Sequence, residues 1–472
     1  MEEVEMKIID EKLKIINIGL RSFYDSVLAQ GVEATHVDWK PPAGGDLEMV
    51  RLLEKLDLPE INEANKEAVT KILAARPMLV DIKVAKNVIP GMTKNTILHS
   101  GPPIEWERMC GPTKGAIWGA LIYEGLAKNR EEADKLAAGG KIKFESCHDH
   151  DAVGPMAGII SPSMPVLVVE NQENENRAYT NINEGVGKVL RYGAYEESVI
   201  KRLKWIEKTF SPVLAAGLKR SGPIDLKAIM SQALQMGDEL HTRNVAASII
   251  LLKTMAPHIV ETGFGKRDVV EVLKFLGDNA LLFFLNPAMA AAKTTLDAAH
   301  GIKNSTVVTA LSRNGTDFGI RVSGLPGKWF TAPAPIPKTL FLPGFKEQDA
   351  NPDLGDSAIM ETAGFGGFAS AASPAVVQVV GGSPTVAADY TREMGEICLV
   401  RDGSFSIPFL NFEGIPRGID LRKVVATSIL PFINTGVAHK KAGFGTVGFG
   451  VLRAPFDCFK KALKAFVEKY DY

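Results

Sequence analysis

Residues 141–170 read KIKFESCHDHDAVGPMAGIISPSMPVLVVE. Ile142 and Phe144 alternate with charged residues, the period of a half-buried strand. A dense polar cluster follows, Ser146-Cys147-His148-Asp149-His150-Asp151. After it come the small-residue segment Gly154-Pro155-Met156-Ala157-Gly158 and a second apolar run, Val166 to Val169. Strand, polar loop, small-residue loop and strand predict an α/β framework with a site at the loop, because loops held by strands carry chemistry. On a continuing strand His148 and His150 share one face and the two aspartates the other. Three readings stand for the cluster. It does acid–base or substrate-binding work, with a histidine poised near neutral pH and held by an aspartate. It is a structural hydrogen-bonded network. Or it binds a metal, which needs a third ligand from afar, and no H-E-x-x-H or C-x-x-C supplies one. The expected catalytic residues are His148, His150 and Asp151, with no metal and no cofactor.

Upstream, residues 13–39 read as strand, turn, helix, strand, with Ser22 as N-cap and Gly31 as the C-terminal stop. This is the opening of a nucleotide-fold-like βαβ unit. It lacks G-x-G-x-x-G, and Asp38 alone, standing where a ribose-binding acid would, favours a plain packing unit over a dinucleotide site. Residues 47–76 predict two helices and residues 78–84 a strand. Gly111-Pro112-Thr113-Lys114-Gly115 opens a helix. It either offers free N–H groups and Lys114 to an anion, or is a helix start with proline at its first position.

Downstream, residues 196–285 are helical in period. Asp238, His241 and Asn244 are spaced by three and project near one helical face, with Arg243 between them. Residues 286–472 carry more glycine, proline and β-type runs. Residues 306–323 form the strongest hairpin signal, with Asn314-Gly315 at a type I′ turn. Residues 349–356 fail as a calcium loop, since Pro352 intrudes and Glu361 is one place late. The glycine-rich loop at 361–370, with Gly366 in it, opens an alanine-rich helix and is an anion cradle or a close-packing site. The literal G-x-G-x-x-G at 443–448 lacks a preceding apolar strand and reads as a bend before the last helix.

A chain of 472 residues is too long for one core. The expected fold is an α+β / α/β multidomain one: a Rossmann-like N-terminal α/β domain at 1–190, a helical middle at 191–290 and a glycine-rich α+β domain at 291–472. Net charge is -1 with no basic stripe, which argues against nucleic acid. No apolar run is long enough for a bilayer, and the charged start is no signal peptide. Four dispersed cysteines read as free thiols in a cytoplasmic protein.

Several stretches together resemble the YlbE/AllG family: residues 16–20 with 36–45, Cys147 to Met156, His241-Thr-Arg-Asn244, and Asn351-Pro-Asp-Leu-Gly-Asp356. The resemblance covers nearly the whole chain. It implies one subunit of a heteromeric carbamoyltransferase that interconverts oxalurate plus phosphate with oxamate plus carbamoyl phosphate in allantoin breakdown. It also implies FdrA-like partners, themselves similar to a succinyl-CoA synthetase subunit, and further subunits. Self-association is expected as well. The alternative is a non-catalytic assembly or substrate-binding subunit. The family supplies no catalytic residues to carry over, so site residues rest on chemistry. Small anions call for Arg, Lys and helix starts, and Lys114, Arg243, Asn244, Arg313 and Gly366 are the expected binding set. The S-T-R-T-R motif of ordinary transcarbamylases is absent.

Overall fold

The run Pro165–Asn171 is buried on both faces and forms the centre of the largest sheet. A computed structural model describes residues 14–37, 39–378 and 382–471. That sheet runs Ala152–Val153, Asn176–Asn181, Pro165–Asn171, Pro77–Val84, Ile224–Asp225, antiparallel except for its first pair. A strand covered on both sides reads as a continuous apolar run. Helix Leu285–Asp297 lies against this sheet. Its small residues Ala288, Ala290, Ala291 and Ala292 are all buried and permit close approach.

The middle segment is helical as its period predicts, with helices Glu197–Trp205, Ser211–Ser221, Leu226–Gln235, Val245–Val260 and Lys266–Asp278. They share one apolar core with the sheet, in which Phe210, Phe283 and Leu251 meet Val169 and Leu79. A second core joins the C-terminal sheets to helix Phe456–Tyr470, through Phe459 and Phe466 against Phe318 and Ile320.

The expected hairpin forms as Val308–Asn314 and Asp317–Val322, pairing Leu311 with Ile320 and Arg313 with Phe318. Its turn is not type I′. Gly315 has φ +83°, but Asn314 keeps a negative φ. The Asn314 side-chain oxygen instead accepts from the N–H groups of Thr316 (3.0 Å) and Asp317 (2.7 Å). An Asx turn therefore replaces the turn with two positive φ angles.

The N-terminal βαβ unit is present as strands Ile15–Ile18 and Ala34–Val37, in parallel, around helix Arg21–Ala29. Among the described residues this sheet stays two-stranded and no residue of the helix is buried, so no doubly wound sheet grows from it. Leu20, not Ser22, is the N-cap. Asp38 lies outside the described residues.

Two local expectations at the candidate site are corrected. The strand Lys143–Ser146 pairs in parallel with Thr96–His99 and stops there. Cys147–His150 is a single 3-10 turn and Asp151 has φ +53°, so His148 and His150 do not share a strand face. Residues 238–244 are not helical either. The Glu239 carboxylate accepts from the N–H groups of His241 (2.9 Å), Thr242 (2.6 Å) and Arg243 (2.8 Å), closing a loop in which Leu240 takes φ +67°. A side-chain carboxylate whose two oxygens satisfy three successive backbone donors outcompetes the helix at that point.

Candidate functional site

His241 sits in that loop, immediately before helix Val245–Val260. The short helix Ile359–Thr362 brings Glu361 to it, fully buried. The imidazole Nδ1 lies 2.8 Å and 2.9 Å from the two carboxylate oxygens. A carboxylate only accepts, so Nδ1 carries the hydrogen, and Nε2 is left for the hollow that the ring lines. Glu361 is itself fixed by the N–H groups of Gly367 (3.0 Å) and Asn434 (3.1 Å). The Asn434 side chain is buried with both polar atoms unpartnered.

The hollow, about 20 Å³, is bounded by Arg191, Tyr192, Ser357 and Gly436 as well as His241. Thr242 and Phe449 also line a groove of about 240 Å³ that adjoins it. The groove is walled by Leu281, Leu340, Val376 and Val451, with Arg243 as its one cation among the described residues. Arg243 is 43% exposed and stands 3.6 Å from Asp238. Arg191 is buried and, among the described residues, donates only to the Gly185 carbonyl (3.1 and 2.6 Å). A histidine oriented by a carboxylate thus lines a hollow with Arg191 in its wall, next to a groove that Arg243 lines, an arrangement able to bind an anion and move a proton.

The central polar cluster folds around Asp356, on the other side of Ser357. Asp356 accepts from the N–H groups of Gly101 (2.8 Å) and Gly154 (2.9 Å) and from the Ser312 hydroxyl (2.6 Å). Burial nonetheless raises its carboxyl to about 6. His148 is 2% exposed, with Nε2 3.5 Å from Asp356 Oδ1, longer than a good hydrogen bond. Burial, then the charges of Lys293 and Arg321, push its pKa well below the usual histidine value, so the ring is neutral. His150 turns away, with Nδ1 2.6 Å from the Pro90 carbonyl and Nε2 3.0 Å from Glu145. Asp151 stands on the outside of the turn, its carboxyl raised by partial burial. The four-residue motif therefore diverges.

Of the other expected residues, Asn244 is beside His241, donating to its carbonyl at 3.0 Å. Gly366 is there too. It has φ +56°, and an added Cβ would stand 2.0 Å from Glu361, so the loop packs closely on the dyad. Lys114 lies over the Trp106 ring at 5.1 Å and donates to the Glu107 carbonyl. Its helix start is covered by the Lys440 carbonyl, 2.2 Å from where a Cβ on Gly111 would be. Arg313 is closed within the core by Asp353, Gly355 and Thr435. Arg191, Glu239 and Glu361 were missed. Glu361 did stand out as the misplaced acid after the failed calcium loop, whereas Arg191 has no sequence signal. Among the described residues no group of three or more His, Cys, Asp or Glu is placed to hold a metal, and no helix is long and apolar enough to cross a membrane. The four cysteines are unpaired.

Residues 142–357 match the model of the family described as oxamate carbamoyltransferase subunit AllG. The chain is 47% identical over 411 residues to the Escherichia coli K12 protein named oxamate carbamoyltransferase subunit AllG, covering 86% of this chain and 98% of that one. It is 46% identical over 472 residues to the uncharacterized protein YahG of the same strain, covering 99% and 100%. A crystal structure of a conserved protein of unknown function from Enterococcus faecalis V583 superposes with a TM-score of 0.85 at 48% identity. It covers 87% of this chain and 98% of that one.

Proposed function

The chain belongs to the AllG family, and from that premise we propose that it is the subunit of a carbamoyltransferase at which oxalurate and phosphate are interconverted with oxamate and carbamoyl phosphate. An FdrA-like subunit is its proposed partner. The observation that carries the reading is the His241–Glu361 pair opening on a groove with Arg243 and Arg191 at hand.

In this reading Arg243 takes the oxalurate carboxylate and Arg191 the phosphate. A phosphate oxygen attacks the carbamoyl carbon and its proton passes to His241 Nε2. The C–N bond to the oxamate nitrogen then breaks, and His241 returns the proton to that nitrogen. One C–O bond forms, one C–N bond breaks, and no redox change or cofactor is needed. Glu361 holds the ring and stabilises its charged form between the two transfers, the role of a carboxylate behind a catalytic imidazole. We assign the transfer to His241 rather than to the expected His148, His150 and Asp151. His148 is neutral and lies beyond hydrogen-bond distance of a carboxylate, and His150 has both nitrogens occupied.

The apolar walls of the groove favour a second reading, in which a side chain of another subunit fills it and this chain serves assembly alone. The test is carbamoyl phosphate formation from oxalurate and phosphate by this chain alone and with its FdrA-like partner. Activity that requires this chain and is lost with R191A or R243A in an intact complex supports the catalytic reading. Activity retained with both substitutions supports the assembly reading.

A further inference from the structure

His148, Arg321 and Trp329 share an unusual shortage of hydrogen-bond partners. Among the described residues, His148 Nδ1 and Nε2, Arg321 Nε and Trp329 Nε1 are all buried and unpartnered. Buried donors are normally satisfied, so several in one place call for an explanation. They do lie in one place. The His148 and Trp329 rings meet edge to face at 5.4 Å, and the Arg321 guanidinium is 5.7 Å from the Trp329 ring centre. Arg321 also donates to the His148 carbonyl at 3.1 Å.

One cation of the cluster has only a loose counter-charge. Lys293 is paired with Asp297 at 2.5 Å. Asp356 is held by its three donors. Arg321, with its side chain 11% exposed, has Asp149 as a loose ion-pair partner at 4.0 Å and, among the described residues, no carboxylate within hydrogen-bond distance. Its remaining contact is His300 Nε2 at 3.1 Å, on a ring that burial and Arg321 itself hold near a pKa of about 4 and hence neutral. A nearly buried cation without a bonded counter-charge is costly, and a bound anion removes that cost.

We propose that this cluster is a binding site for a small oxyanion, a carboxylate or phosphate group whose oxygens accept from Arg321 Nε, Trp329 Nε1 and the His148 ring. The exposed turn at residues 326–328 carries Trp329 and provides the approach. The site shares no lining residue with the His241 hollow or groove and does not rest on the transferase reading.

The experiment is calorimetric titration of the full-length chain with inorganic phosphate and, separately, with oxamate, in wild type, R321Q, W329F and R243A. W329F keeps the ring and removes only the N–H, so it remains informative if R321Q fails to fold. The expected result is saturable binding of at least one anion with a component, separate from the His241 cleft, that is weakened by about tenfold or more in R321Q, as for loss of a hydrogen bond to a charged group. W329F should weaken that component several-fold, and the component should persist in R243A, which alters only the groove beside His241. Which anion binds tells phosphate from carboxylate. The proposal is overturned by no saturable binding, by wild-type titration curves in W329F and R321Q, or by loss of every binding component in R243A.

Discussion

His241 and Glu361 meet through one ring nitrogen and both carboxylate oxygens, at 2.8 and 2.9 Å, although they are 120 residues apart in the chain. The fold presents the imidazole with a single tautomer and a single orientation. Glu361→Gln replaces one accepting oxygen with a donor facing Nδ1–H and reverses that preference. We expect kcat to fall by a factor on the order of 10²–10⁴, the range of a lost acid–base contribution, with KM changed little and thermal stability nearly kept. Steady-state kinetics of the assembled enzyme check this. A KM effect alone would make Glu361 a binding residue.

Arg313 and Asp353 form a fully buried pair, Nε to Oδ2 at 2.5 Å, with Thr435 bridging both side chains. Arg313→Met leaves the Asp353 carboxylate in the core without a cation. Such a half-broken pair costs about 3–5 kcal/mol, so chemical denaturation should show a loss of that size. Asp353→Leu in the same chain should recover part of it, because two apolar residues leave no orphaned charge.

Glu184 is buried, and that burial lifts its carboxyl from the usual 4.5 to about 7, against the opposing charge of Arg191 and the Leu190 N–H. The folded state therefore holds a proton that the unfolded chain releases near 4.5. This stability is full below that pH and is lost as pH rises through about 7. Glu184→Gln cannot lose it. The melting temperature of Glu184→Gln relative to wild type should climb between pH 4.5 and 7 and level off above. Parallel curves across that window would contradict the assignment.

The elements with strong periodicity were legible. The strand Pro77–Val84, the helices of the middle segment and the hairpin at residues 308–322 stand where apolar spacing and an Asn-Gly pair put them. What was not legible depended on side chains competing with the backbone. Asn314 accepts two N–H groups and changes the turn, and Glu239 accepts three and unwinds a helix that the spacing of Asp238, His241 and Asn244 suggested. The polar density of residues 146–151 marked a special place, yet its members point to different neighbours once the chain turns at Cys147. His241, Arg243, Asn244 and Gly366 were visible as candidates and do converge. Their partner Glu361 and the flanking Arg191 come from distant segments, so only tertiary packing unites them.

The most direct test of the central claim is carbamoyl phosphate formation from oxalurate and phosphate by this chain assembled with the proposed FdrA-like partner, comparing wild type with His241→Asn. The account predicts an intact complex whose turnover falls by about 100-fold or more, while His150→Asn, on the outer side of the turn, keeps wild-type turnover. Undiminished turnover in His241→Asn would contradict it and move the chemistry out of this cleft.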